Sequence, residues 1–263
     1  MGFKPFVKNH LFRERHPINF IQPKNSFMKK VILMLAFVLP VLFISLHVEA
    51  QTADEIIGKY ITAIGGKDKW TQVKSMKVNG YIEVQGIKIN FTQQAILNVG
   101  VRVDAEFQGQ KIIDITTPTK GWSQNPFGGR SSLQPISEEE LKQKLDELDI
   151  QDEFIDYAAK GSTVEFLGKD EEDGNEFYKI KMTTKNSNES VYFFDVNTSL
   201  IYKEEKTVKQ QGQEMKMVTK LFDYKTIPFG IKIPHKSEQM GQMLITEKFE
   251  INPVIDENIF KGN

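Results

Sequence analysis

The chain has 263 residues, with 34 Lys+Arg, 35 Asp+Glu, 4 His and no Cys, for a formal net charge of −1. A hydrophobic fraction of 40% with 26% charged residues is the composition of a folded protein and excludes a disordered tail. The lack of Cys excludes disulfides, thiol nucleophiles, zinc–thiolate and iron–sulfur sites and a lipid-modified N-terminal cysteine, and near-neutral charge gives no reason to expect nucleic-acid binding.

Residues 28–50 read as an export signal. Met28-Lys29-Lys30 is a basic start, Val31 to Leu46 is almost wholly apolar, and Val48-Glu49-Ala50 is a small-x-small cleavage site. Cleavage after Ala50 leaves Gln51 as the new N-terminus and sends the chain to the periplasm. The alternative is an uncleaved signal that anchors it to the inner membrane, although 16 apolar residues fall short of the roughly 20 that span a bilayer. Residues 1–27 are basic and irregular and are expected to precede the true start at Met28. Residues 1–50 carry 7 basic and 2 acidic side chains, so the remainder holds 27 and 33, a net charge of −6. That sign disfavours anionic lipid surfaces and polyanions.

Residues 51–263 read as a single domain. Thr52-Ala53-Asp54-Glu55 is a capping box, followed by Ile56, Ile57, Tyr60, Ile61 and Ile64 at helical spacing, with Gly65-Gly66 as the stop. Asp68 to Val73 adds a further helical turn. From about residue 74 the period becomes two. A first strand contains Met76, Val78, Tyr81, Ile82 and Val84, with a bulge or bend expected at Gly80. Gln85-Gly86 turns into Ile87, Ile89 and Phe91. Val101, Val103, Ala105 and Phe107 alternate with Arg102, Asp104 and Glu106. Gln108-Gly109 turns into Lys111 to Thr117. Residues 118–136, dense in Pro and Gly, read as irregular. Ser137-Glu138-Glu139-Glu140 is a second capping box ahead of Leu141, Leu145 and Leu148, and Phe154 to Ala158 reads as another short helix ended by Gly161. Strands resume at Thr163 and run to Ile251, with turns at Asp170 to Asn175, Gln211-Gly212 and Met240-Gly241. About eleven strands with no strand–helix alternation predict a mainly β (α+β) fold. They read as one long, curled antiparallel sheet with an N-terminal helix and further helices packed on its open side, the arrangement that the resemblance below extends to an incomplete antiparallel barrel with a helical lid.

Catalytic chemistry is poorly supplied. After export His235 is the only histidine, and no GxSxG elbow, phosphate loop or dinucleotide fingerprint occurs. The run DEEDGN lacks the alternating ligands of a calcium loop and reads as a solvated turn. Asp152-Glu153 and Asp156 fall on the wet face of the predicted helix. What remains is apolar mass: 12 Phe, 7 Tyr, 2 Trp and 6 Met beyond residue 50. A curled sheet too wide to be filled by its own side chains encloses an apolar hollow of the kind that binds hydrophobic ligands.

The segments GWSQNPFGG (121–129), YFFDVNTSLIYKEE (192–205) and FDYKTIPFGIKIPHKSE (222–238) resemble the outer-membrane lipoprotein-sorting proteins, the LolA-like periplasmic carriers. The opening TADEIIGKYITAIGG and the closing INPVIDENIF are similar to that group too, and the resemblance covers most of residues 52–260. It implies a half-open barrel closed by a helical lid and a carrier, a transport chaperone without cofactor or catalysis. Such a carrier holds the acyl chains of a lipoprotein or other lipid and ferries them to the outer membrane. Its implied partners are an inner-membrane release complex and an outer-membrane acceptor. Sensors that bind lipoproteins or membrane proteins use the same scaffold, so a protein-binding module is the alternative. One departure stands out: where the carriers have an Arg-Pro pair whose arginine closes the lid, this chain has Asn98, with Arg102 four positions on. The expected cavity walls are Phe91, Val101, Val103, Phe107 and Ile115 from the first sheet half and Tyr192, Phe194 and Met217 from the second. Trp122, Phe127, Leu141, Leu145 and Phe154 are expected in the lid region. No metal site is expected, and a monomer is.

Overall fold

The structure, a computed structural model, describes residues 52–210 and 213–262. The signal, its cleavage site and the Gln211-Gly212 turn lie outside the described residues. The described residues belong to one compact unit, Gln51–Asn263.

Helix α1 (Ala53–Ala63) starts where Thr52 Oγ1 accepts from the Glu55 amide while the Glu55 carboxylate accepts from the Thr52 amide, satisfying two otherwise orphan donors. Gly65 and Gly66 take φ of 110° and 89°, which ends it. Ile56, Ile57 and Tyr60 form its buried stripe. A single turn, α2 (Lys67–Trp70), follows and buries Trp70, whose indole donates to the Ile64 carbonyl.

Thirteen strands then form one antiparallel sheet. They are β1 (Ser75–Val84), β2 (Ile87–Ile96), β3 (Gly100–Phe107), β4 (Gln110–Thr116), β5 (Gly121–Asn125), β6 (Arg130–Pro135) and β7 (Thr163–Glu172). The rest are β8 (Asn175–Thr183), β9 (Glu189–Asp195), β10 (Ile201–Gln210), β11 (Gln213–Thr226), β12 (Lys232–Gln239) and β13 (Gln242–Ile251). Their order is β6-β5-β4-β3-β2-β1-β13-β12-β11-β10-β9-β8-β7, so the first strand pairs with the last and β6 and β7 remain as edges. The sheet is not closed into a barrel. The bulge expected at Gly80 is present: pairing with β13 shifts between Asn79 and Gly80. A side chain there would meet the Ile245 carbonyl and the Phe91 ring.

Thirteen strands replace the expected eleven because the breaker-rich segment 118–136 is not irregular. It forms the β5–β6 hairpin around a short turn at Pro126–Gly128, in which Asn125 Oδ1 accepts from the amides of Phe127 and Gly128. The lid contains α3 (Glu138–Lys144), begun by the Ser137/Glu140 capping box, and a 3₁₀ turn at Leu145–Leu148. Beyond it the expected helix at 154–158 is a string of turns. Asp152 and Asp156 hold φ of 69° and 53°, which no helix accommodates.

The main core lies between one face of β8–β10 and the covering elements α1 and residues 150–157. It contains Ile56, Tyr60, Phe154, Ile155, Ile180, Met182, Tyr192 and Phe194, all at most 4% exposed. A second, smaller cluster joins Ala95 and Val101 to Leu145, Leu148 and Ile150 of the lid.

Candidate functional site

Register sorts the predicted wall residues by face. Directly opposed residues of an antiparallel pair share a face. Phe91 opposes Ala105, Val101 opposes Ala95 and Thr116, and Val103 opposes Gln93 and Asp114. Since Val101 packs on Leu148, these residues face the lid, and so does Phe107 by alternation. In the other half Tyr192 opposes Ile180 and Glu204, and Met217 opposes Lys206, which opposes Ser190. These share the face of the main core.

Two expected site residues lie elsewhere: Ile115, expected in the cavity wall, and Trp122, expected in the lid region. Ile115 opposes both Arg102 and Trp122, so Ile115 and Trp122 are on the convex face, away from the lid. The C-terminal segment covers that face. The Arg102 guanidinium donates to both carboxylate oxygens of Asp104 at 2.7 Å and to the Ile259 carbonyl at 2.9 Å, and a side chain at Gly100 would collide with the Phe260 ring. The Asp104 carboxylate raises the Arg102 pKa. Arg102 thus anchors the tail on the face away from the lid. Asn98, at φ 58°, meets the lid through its backbone, its amide donating to the Leu148 carbonyl at 3.0 Å.

The remaining residues divide by cover. Phe154, Tyr192 and Phe194 form an aromatic cluster with Tyr60, at centroid distances of 4.9 to 5.6 Å and near-perpendicular planes. That part of the interior is solid. Phe91 and Val101 are buried, whereas Val103, Phe107, Leu141, Leu145 and Met217 are half-buried and Phe127 is 54% exposed. Phe127 leans on Phe107 at 5.4 Å. Half-buried Ile82, Ile89, Ile112 and Leu244 continue the same face.

Polar groups pin the lid across this face. Asp114, beside Val103, lies 3.7 Å from Lys144 of α3. Asp146 accepts from Thr184, Asn186 and Asn188 at 2.8, 2.6 and 2.5 Å, tying the lid to the β8–β9 turn.

Asp152 and Glu153 are not the wet face that the sequence indicated. Tyr60 donates to Asp152 at 2.6 Å, and Tyr192 donates to Glu153 at 2.6 Å while lying 3.2 Å from Glu204. Burial pushes the Asp152 carboxyl up to about 6, against the pull of the Tyr60 hydroxyl. Burial, then the negative charge of Glu204, raises Glu153 well above the usual carboxylate range. The Tyr60 and Tyr192 phenols are raised by burial first and their carboxylate neighbours second. Asp156 alone behaves as predicted, exposed and paired with Lys67 at 2.5 Å. The sequence offered no signal for this half-buried pair, because their partners lie 92 and 39 residues away.

The surface hollows are open and edged by polar groups. One of about 490 Å³ on the convex face is lined by Asn79, Asn90, Thr92, Arg102, Asp104 and Glu106, among others. Among the described residues no cluster of three His, Cys, Asp or Glu side chains could hold a metal, and no helix is long and apolar enough to cross a membrane.

No protein family and no curated protein matches the sequence. Solved structures do match. A LolA superfamily protein from Nitrosomonas europaea superposes with a TM-score of 0.51 at 12% identity, over 81% of this chain and 99% of its own. A DUF1329 family protein from Desulfovibrio piger gives 0.50 at 12% identity, over 78% and 97%. At such identity the likeness concerns architecture, and the architecture of this chain is the LolA-like open barrel.

Proposed function

We propose that this protein is an exported, periplasmic carrier. It binds the acyl chains of a lipoprotein or other lipid on the concave face of its sheet and moves them toward the outer membrane without catalysis. One observation carries the reading. The lid-facing side of β2–β4, continued through β1, β13 and β11, presents half-buried apolar side chains such as Val103, Phe107, Leu244 and Met217 that the chain leaves partly uncovered. An acyl chain laid there gains roughly 0.8 kcal/mol per methylene removed from water. The architecture supports the same reading, since LolA superfamily members share it. Phe91, Val101, Val103, Phe107, Leu145 and Met217 are the proposed contacts. Leu141 and Phe127 border them, and Ile115, Trp122, Phe154, Tyr192 and Phe194 are support. Release and acceptor complexes in the two membranes would be the partners.

The solid aromatic packing under α1 favours a second reading, a sensor or protein-binding module that fills most of its hollow itself. Purifying the domain from cells and searching for co-extracted lipid by mass spectrometry separates the two. Bound lipid, with uptake of a fluorescent fatty acid, is expected of the carrier. Neither would occur for the module.

A further inference from the structure

The Tyr192 hydroxyl sits between two carboxylates contributed by different elements. It donates to Glu153 Oε2 of the covering segment at 2.6 Å and lies 3.2 Å from Glu204 Oε1 on β10. Glu204 Oε1 also accepts from Ser190 Oγ at 2.8 Å. A phenol has one hydrogen, and the shorter contact uses it. The longer contact is a hydrogen bond only when one of the two carboxyls carries a proton. With both ionised, two acceptors and two negative charges meet across one hydroxyl. Facing Glu153 as well are Asp152 of its own segment, Tyr60 of α1, Lys206 of β10 and Tyr224 of β11. A surface cleft of about 170 Å³ opens beside Glu153, and Asp146, Asp149, Lys160 and Lys185 line it. Lys160 is already engaged there, by Asp149 at 2.5 Å.

We propose that Glu153 and Glu204 share one proton through Tyr192, and that this proton holds residues 145–153 against the sheet. Its loss to water in the cleft loosens that run. Burial and the negative charge of Glu204 raise the Glu153 carboxyl, in keeping with a proton kept by the pair. The raised carboxyl belongs to the closed form, so the catch has full strength at low pH and weakens as pH rises through its value in that form. Phe154 and Ile155 are fully buried and stay as the anchor, and Asp152 at φ 69° marks a pivot beside them. Upstream of the pivot, Leu145, Leu148 and Ile150 are what covers Ala95 and Val101. The run keeps its other ties, Gln151 to the Thr71 and Val73 carbonyls and Asp146 to the β8–β9 turn, so the change is a loosening and not a release. The catch governs the cover over β2–β3 whether or not lipid binds there, and so stands apart from the carrier reading.

The test is amide exchange of the Gln51–Asn263 chain, a compact unit with its own core, read by mass spectrometry and corrected for the intrinsic effect of pH. Between pH 6 and pH 9 the protection of residues 145–153 should fall roughly tenfold, the factor for one pKa unit between closed and loosened forms. Protection of β8 and β9 should hold. Glu153→Gln and Glu204→Gln each give the hydroxyl a neutral partner of the same shape, and each should keep residues 145–153 protected at pH 9. Tyr192→Phe leaves the ring in its aromatic cluster and should lower their protection at both pH values. Protection that does not change with pH overturns the proposal. So does a fall that both Gln variants retain, or one that spreads to β8 and β9. Gln variants that are looser than the unaltered chain at pH 9 overturn it in favour of a packing role for the two acids. A fall abolished by Asp152→Asn alone overturns it and assigns the effect to Asp152.

Discussion

Two stretches of one sheet are built from similar alternating strands and finish differently. Under β8–β9, Ile180, Met182, Tyr192 and Phe194 are sealed by α1 and residues 150–157. On the lid-facing side of β2–β4 only Phe91, Ala95, Val101 and Thr116 are comparably buried, and the lid touches that face through Leu145, Leu148 and Ile150. The difference shows that an apolar face is a property of a strand, while a closed core is a property of what is laid across it. The sealed half holds the fold together, and the half-covered one can accept something from outside.

The sharpest break of that contrast is Phe194→Ala. In the sealed half it should cost about 3–5 kcal/mol by removing a fully buried ring. Urea unfolding measures it, and a loss under ~1 kcal/mol would mean the two halves are alike. Val103→Asp in the half-covered part should instead abolish fatty-acid uptake while the strands survive; unchanged uptake removes Val103 from the binding face. A gentler probe is pH. The folded Asp152 is raised to about 6, so its contribution is fully present below its unfolded value near 4 and is lost as pH climbs through 6. Melting temperature should therefore fall across that window, and Asp152→Asn should flatten the slope. Smallest is Ser137→Ala. It removes the cap of α3 and should cost about 0.5–1 kcal/mol, seen as faster amide exchange confined to the lid.

Local rules were legible where the local chain decides. The Thr52–Glu55 and Ser137–Glu140 boxes, the glycine stop at 65–66, the alternation of β3 and the bulge at Gly80 all follow from neighbours in sequence. The β5–β6 hairpin was hidden because Gly121, Pro126, Gly128 and Gly129 dominate a stretch whose pairing with β4 is decided at a distance. Ile115 and Trp122 were misplaced because β4 has apolar residues on both faces, and a tail that meets Arg102 from 157 residues further on covers the convex one. Asp152 and Glu153 look like surface acids until Tyr60 and Tyr192 are brought over them. The fold is thus more readable than the site, since the site depends on which distant segment caps each face.

The sheet never zips shut, and that leaves two raw margins in a molecule read as working outside the reach of cytoplasmic chaperones. Both are blunted. On one side β6 is six residues long and finishes at Pro135, which has no amide to offer. On the other, β7 kinks where its pairing slips between Phe166 and Gly168, then ends in Lys169-Asp170-Glu171-Glu172. A stray extended chain approaching either border meets a missing donor or a run of charge, which disfavours edge-to-edge pairing despite the open architecture.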